Sequence, residues 1–172
     1  MLVLGVPEVL DALGADRAYQ TKRLLVLLTW LHRNRVTHGL VLPENILLNA
    51  GHHAATLLDW TAAGPPGTQR AVRPGREMYY PLALFARTGQ TPATDIIMAI
   101  RTVIAVLGGD PATGDLPRTV APALAAFLLQ HAAYDDVARN TDAYVTFENW
   151  RRVVQSVFGP PKYIPFVMPR LN

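Results

Sequence analysis

Few residues in this 172-residue chain are of a type and spacing that could do chemistry. His38, followed by Gly39, could serve as a general acid or base near neutral pH. His52 and His53 are adjacent in a turn-like stretch, but no second ligand pair stands at a spacing that would close around a metal. Arg70, Arg73 and Arg76 gather in one loop and Arg151 and Arg152 near the C-terminus, as a phosphate-binding patch would. No aromatic residue is interleaved with the loop arginines as a single-strand platform requires, so a solvated basic loop is the simpler reading. The net charge is only +3, and the chain has no cysteine, which excludes a disulfide framework and any thiolate metal site.

A mostly helical chain must position these groups. Val6 to Leu13 reads as a short helix closed by Gly14, followed by a long one from about Asp16 to Asn34. In the latter, Leu24, Leu27, Leu28 and Leu31 recur at helical spacing, and Leu25, Val26 and Trp30 widen the stripe, so most of its circumference is expected to be buried. Asn45 to Leu48 and Ala55 to Leu58 read as the arms of a β-hairpin. Ala62 to Pro81, rich in Gly, Pro and Arg, is too irregular for either element. Three helices follow, Thr94 to Leu107, Val120 to Ala133 and Asp142 to Phe158. An extended, Pro-rich tail is expected over 159–172. The fold class is therefore mainly α with a small β-hairpin, in a single domain over 1–172.

Half the residues are apolar and 17% are charged, too apolar a balance for a disordered chain. No segment approaches the roughly 20 apolar residues that span a bilayer. The first residues lack the basic start and long apolar core of a signal peptide. A cytoplasmic location with no membrane partner is the expectation.

The segment from Leu31 through His38, Gly39, Leu40, Val41, Leu42, Pro43, Glu44 and Asn45 to Leu48 resembles the catalytic loop of protein kinases. The family pattern there is His-Gly/Arg-Asp-Leu-Lys-Pro-Glu-Asn-Ile-Leu-Leu. After a hairpin turn, Asp59, Trp60 and Thr61 resemble the metal-binding Asp-Phe-Gly motif. Tyr80 and Pro81 stand where the family closes its activation segment, Thr94, Asp95 and Ile96 where its buried central helix begins, and Arg139 at its late arginine. Five features in order, covering Val6 to Phe158, make the resemblance specific. It implies a protein kinase-like C-terminal lobe lacking the N-terminal lobe, because the residues before His38 are taken up by two helices and no Gly-x-Gly-x-x-Gly occurs.

On that resemblance the chemistry is degenerate. Leu40 stands where the family has the aspartate that takes the substrate's proton, and Leu42 where it has the phosphate-steadying lysine. General-base catalysis contributes roughly 10²–10⁴-fold, and leucine can supply none of it. Asn45 and Asp59 match the family's Mg²⁺ positions, but without a nucleotide cradle they are expected to brace the loop, with no metal and no cofactor bound. His38 matches a packing residue. Leu82 replaces the glutamate that would pair with Arg139, which is then expected to be exposed or to pair with Asp135, Asp136 or Asp142.

The implied function is a catalytically inactive, pseudokinase-like module for protein binding or assembly. Its binding face would be an exposed patch of Leu40, Val41, Leu42 and Trp60, engaged by a protein partner or a second copy. The alternatives are an anionic or nucleic-acid partner held by Arg70, Arg73 and Arg76, and residual nucleotide binding or weak kinase activity.

Overall fold

A computed structural model describes residues 2–3, 10–49, 54–135 and 141–160. The chain is mainly helical, with one small antiparallel sheet. Strand β1 (Leu2–Val3) leads to helix α1 (Leu10–Arg33), and the hairpin strands β2 (Ile46–Asn49) and β3 (Ala54–Leu57) follow. Helices α2 (Pro92–Val106), α3 (Pro122–His131) and α4 (Ala143–Phe158) complete it.

Two helices were expected before Asn34; among the described residues there is one, which runs through Gly14 without a break. Glycine inside a helix costs only about 1 kcal/mol relative to alanine. Packing of α1 against α2, α4 and β3 outweighs a penalty of that size. The width of its apolar stripe also differs from expectation. Leu24, Leu25, Leu28 and Leu31 are buried, whereas Val26 and Trp30 face solvent.

The hairpin forms one residue away from its expected limits. Ile46 pairs with Leu57 and Asn49 with Ala54, while Asn45 ends a 3-10 turn, Pro43–Asn45, that delivers the chain into β2. Strand order is β1-β2-β3, with Leu2 opposite Leu48, a third strand that sequence pattern did not suggest. The segment from Ala62 to Pro81 holds no regular element beyond short 3-10 turns. It is tied back at its start by paired backbone bonds, Thr37 N–H to Gly64 O at 2.8 Å and Gly64 N–H to Thr37 O at 3.1 Å.

Helix α2 is the centre. Thr91 and Thr94 form a reciprocal capping box at its start, Pro92 occupies the first turn, and every residue from Ala93 to Ile104 is buried. Among these, Arg101 is the long polar side chain that joins separate parts of the chain. Its Nε donates to Ala132 O at 2.9 Å, Nη2 to Ala133 O at 3.3 Å, and Nη1 to Met78 O at 3.1 Å and Tyr80 O at 2.7 Å. The guanidinium also lies 4.7 Å from the centre of the Tyr134 ring. One planar, five-donor group thus fixes the end of the Arg-rich loop and the exit of α3 on one core helix.

Helix α4 starts at Asp142, whose Oδ1 accepts from Tyr144 N–H at 2.7 Å and Val145 N–H at 3.3 Å. It buries Trp150 against Phe127 of α3 and stops at Gly159, where φ is 77°. The expected tail beyond Pro160 lies outside the described residues, as do Asp136, Arg139, His52 and His53. No helix among the described residues is long and apolar enough to cross a membrane.

Replacing Arg101 by methionine keeps the packing volume but strands several buried carbonyls. Unfolding by urea is expected to show a loss of about 3 kcal/mol or more, with Arg101→Lys recovering only part, since a point charge cannot reach all four acceptors.

Candidate functional site

The loop from Val36 to Asn45 is held by a buried carboxylate. Asp95, in the first turn of α2, is fully buried, and its oxygens accept three hydrogen bonds. Oδ2 takes His38 N–H at 2.7 Å and faces His32 Nε2 at 3.1 Å, while Oδ1 takes Gly39 N–H at 2.8 Å. Buried carboxylates survive only with such convergent donors. Two turns further along the helix face, Thr102 donates its hydroxyl to Val41 O at 2.9 Å. The loop is therefore fastened to α2 at two heights.

Gly39 is required twice over. Its φ is 74°, a left-handed value that favours glycine, and a Cβ there would collide with Gln90 Oε1. Gln90 is itself buried, and its Nε2 donates to Ala62 O at 2.8 Å. It thus packs the loop against the stretch after β3.

His38 is fully buried. Its Nδ1 accepts from Leu40 N–H at 3.2 Å, and its ring meets Trp60 edge-on at 4.8 Å between centroids. Burial holds the imidazole below its ordinary pKa; Asp95, the Leu58 backbone and Asp59 pull the other way without offsetting it. A neutral, ring-packed histidine braces the loop.

The expected binding face is corrected here. Leu40, Val41 and Leu42 were expected to be exposed, yet all three belong to the core, with Val41 and Leu42 at 0% exposure. The bonds from Asp95 and Thr102 pull this backbone onto α2, so its side chains pack into the apolar interior. Only Trp60 of the proposed quartet is exposed, joined by Leu58. The Trp60 indole N–H donates to Leu57 O at 3.1 Å, which fixes the ring beside His38.

Asn45 and Asp59 are engaged within the chain. Asn45 is buried and donates through Nδ2 to Leu40 O at 3.0 Å. Asp59 has φ 55° and caps the 3-10 turn Trp60–Ala62, accepting from the Thr61 hydroxyl at 2.5 Å and the Thr61 N–H at 3.3 Å. Those two bonds, hydroxyl first, hold its carboxyl below the usual range, with Arg73 adding to the effect. Among the described residues, no three His, Asp or Glu side chains are grouped as a metal site would need.

The basic loop is largely spoken for. Arg73 pairs with Asp59 at 3.3 Å and Arg76 with Glu44 at 2.6 Å, both at the surface. Arg70 is exposed and makes no ion pair among the described residues. Leu82, where a partner for Arg139 would stand, is 60% exposed. It is Arg101 that grips the carbonyls of Met78 and Tyr80 just before it.

No protein-family model matches this chain, and no curated protein matches it either. The site therefore rests on its own geometry. Sequence pattern had not singled out Gln90, Thr102 or Arg101. A lone charged residue in the run Ile96 to Val106 was the available signal for the last.

Asp95→Asn replaces one acceptor oxygen by a donor aimed at N–H groups, and a loss of about 2–4 kcal/mol in urea unfolding is expected. For His38, the unfolded chain binds the proton more readily than the folded one. Its contribution is therefore a loss of stability as pH falls below about 6.5, ending once the folded-state pKa is passed. Unfolding measured at neutral and mildly acidic pH should show a smaller pH dependence for His38→Asn than for the parent chain.

Proposed function

We propose that this chain is a protein kinase-like C-lobe module without phosphoryl-transfer activity, which works by binding another protein. The observation that carries this reading is the burial of Leu40 and Leu42. At the positions where the resemblance implies a proton acceptor and a phosphate-steadying cation, the chain has two core side chains. These positions lack the functional groups and are also closed to solvent, so no substrate hydroxyl or phosphate could reach them without unfolding the loop.

The state of Asp59 supports the same reading. Its carboxylate is committed to Thr61 and Arg73, whereas a Mg²⁺ of the kinase type needs carboxylate oxygens free to share the ion with substrate phosphates. A binding role is supported by large apolar side chains left at the surface, Leu58 and Trp60 beside the pinned loop and Met78, Leu82 and Phe85 further along the chain. Leu82 and Phe85 stand three residues apart on one 3-10 turn, where such side chains eclipse one another. Exposed apolar side chains that cluster mark association surfaces.

Nucleotide is the direct test. A ligand at a hundred times its Kd stabilises a protein by about 2.7 kcal/mol, which moves Tm by roughly 5–10 °C in a domain of this size. Millimolar ATP with Mg²⁺ is expected to leave Tm unchanged, and no phosphate should pass to the chain itself or to a generic protein acceptor. A shift of several degrees, or transfer abolished by Asp59→Ala, would overturn the inactive reading.

A further inference from the structure

Along α1, Arg23, Val26, Trp30 and Arg33 are spaced i, i+3, i+7 and i+10, which puts them on one side of a helix of 3.6 residues per turn. All four are exposed, opposite the buried Leu24, Leu28 and Leu31. Trp30 is the most exposed large apolar residue described, at 62%, and Val26 lies one turn before it at 44%. The result is an apolar pair with an arginine at each end.

Helix α4 packs beside α1, with Tyr144 at its start near Arg33 and Arg151 further along near Lys22, so the two run in opposite directions. At one end the Arg33 guanidinium lies 5.3 Å from the centre of the exposed Tyr144 ring. At the other, Lys22 stands close enough to Arg23 and Arg151 that their repulsion, after burial, holds its ammonium below the ordinary pKa. Two described carboxylates lie on this side. Glu148 is bonded to Arg151 at 2.9 Å, and Asp142 is occupied in capping α4. Arg23 and Arg33, one at each end of the apolar pair, therefore give this stretch of α1 a positive charge.

We propose that this α1–α4 face docks an amphipathic helix of a partner protein, one that carries acidic residues beside an apolar stripe. The step from Val26 to Trp30 is about 6 Å along the helix axis, the spacing at which a docked helix presents successive apolar anchors. Trp and Arg are the side chains that most often dominate such contacts. The end arginines meet acidic residues one turn beyond the anchors, and complementary charge sets orientation. A single-stranded nucleic acid fits less well. Val26 offers no ring to stack on, and one face of the Tyr144 ring is already covered by Arg33. Nothing in this face depends on the catalytic-loop reading, and ATP binding would leave it standing.

The probe is a fluorescein-labelled Glu/Leu peptide of about 18 residues, long enough to be helical, with leucines at helical spacing. Its control is an isomer of the same composition with that spacing broken. Fluorescence anisotropy at low salt should show saturable binding of the patterned peptide, at least about tenfold tighter than the isomer. Trp30→Ser and Arg33→Glu, both at exposed positions, should each weaken it by about tenfold while keeping the parent Tm. Arg70→Glu, on the separate basic loop, should leave it unchanged. Equal binding of the isomer would reduce the face to unspecific charge and overturn the proposal. So would absence of saturable binding, or tighter Trp30-dependent binding of a single-stranded oligonucleotide or of phosphatidylserine vesicles.

Discussion

The Asp95 carboxylate is the constraint on which the rest of the site depends. An ionised group taken wholly out of water costs several kcal/mol unless donors converge on it. Here the donors are the consecutive backbone N–H groups of His38 and Gly39, with His32 from the end of α1. Two consecutive amides can point at one carboxylate only if the chain bends sharply. That bend demands the left-handed φ of Gly39 and admits the Gln90 side chain where a Cβ would otherwise stand. Burial of one acidic group thus dictates the path of the loop, the identity of a glycine and the packing of the stretch beyond β3.

The fate of Leu40 and Leu42 follows from the same path. Once His38 and Gly39 are fastened to the start of α2 and Val41 to Thr102 on its next turns, the residues between run along an apolar helix. Each fully buried leucine side chain is worth about 1.5–3 kcal/mol relative to an exposed one, while an unpaired aspartate or lysine there would carry a large desolvation cost. Leucines at these positions therefore favour a closed loop, and a closed loop favours leucines. A single substitution by a charged residue would work against the packing that defines the segment.

Helix positions and the hairpin were legible in the sequence because each is written locally. Thr91-Pro92 and Asp142 cap α2 and α4, Gly159 ends α4, and the apolar runs of β2 and β3 flank turn residues. Gly14 misled because a helix breaker acts through a cost of about 1 kcal/mol, and tertiary packing of α1 is larger. Strand β1 was not legible, since a two-residue pairing partner far along the chain leaves no periodic signature. The exposure of the loop failed for a related reason. Composition shows that Leu40, Val41 and Leu42 are apolar, but only the long-range bonds from Asp95 and Thr102 decide that they point inward. Val26 and Trp30 failed in the opposite sense, since an apolar residue next to a core stripe need not belong to it.

Helix α2 combines an unbroken buried surface with polar side chains, and Asp95, Arg101 and Thr102 each serve a different stretch of backbone. Asp95 orders the loop after α1, Thr102 its continuation, and Arg101 the chain around Tyr80 together with the exit of α3. All of these interactions are to main-chain groups, apart from His32. Main-chain recognition is indifferent to the side chains of the segments it holds, so the frame tolerates wide change in what those segments carry. A frame of this kind can keep the shape of a loop whatever side chains that loop carries. Shape alone is then no sign of activity, and what such a chain does must be read from the side chains it leaves at the surface.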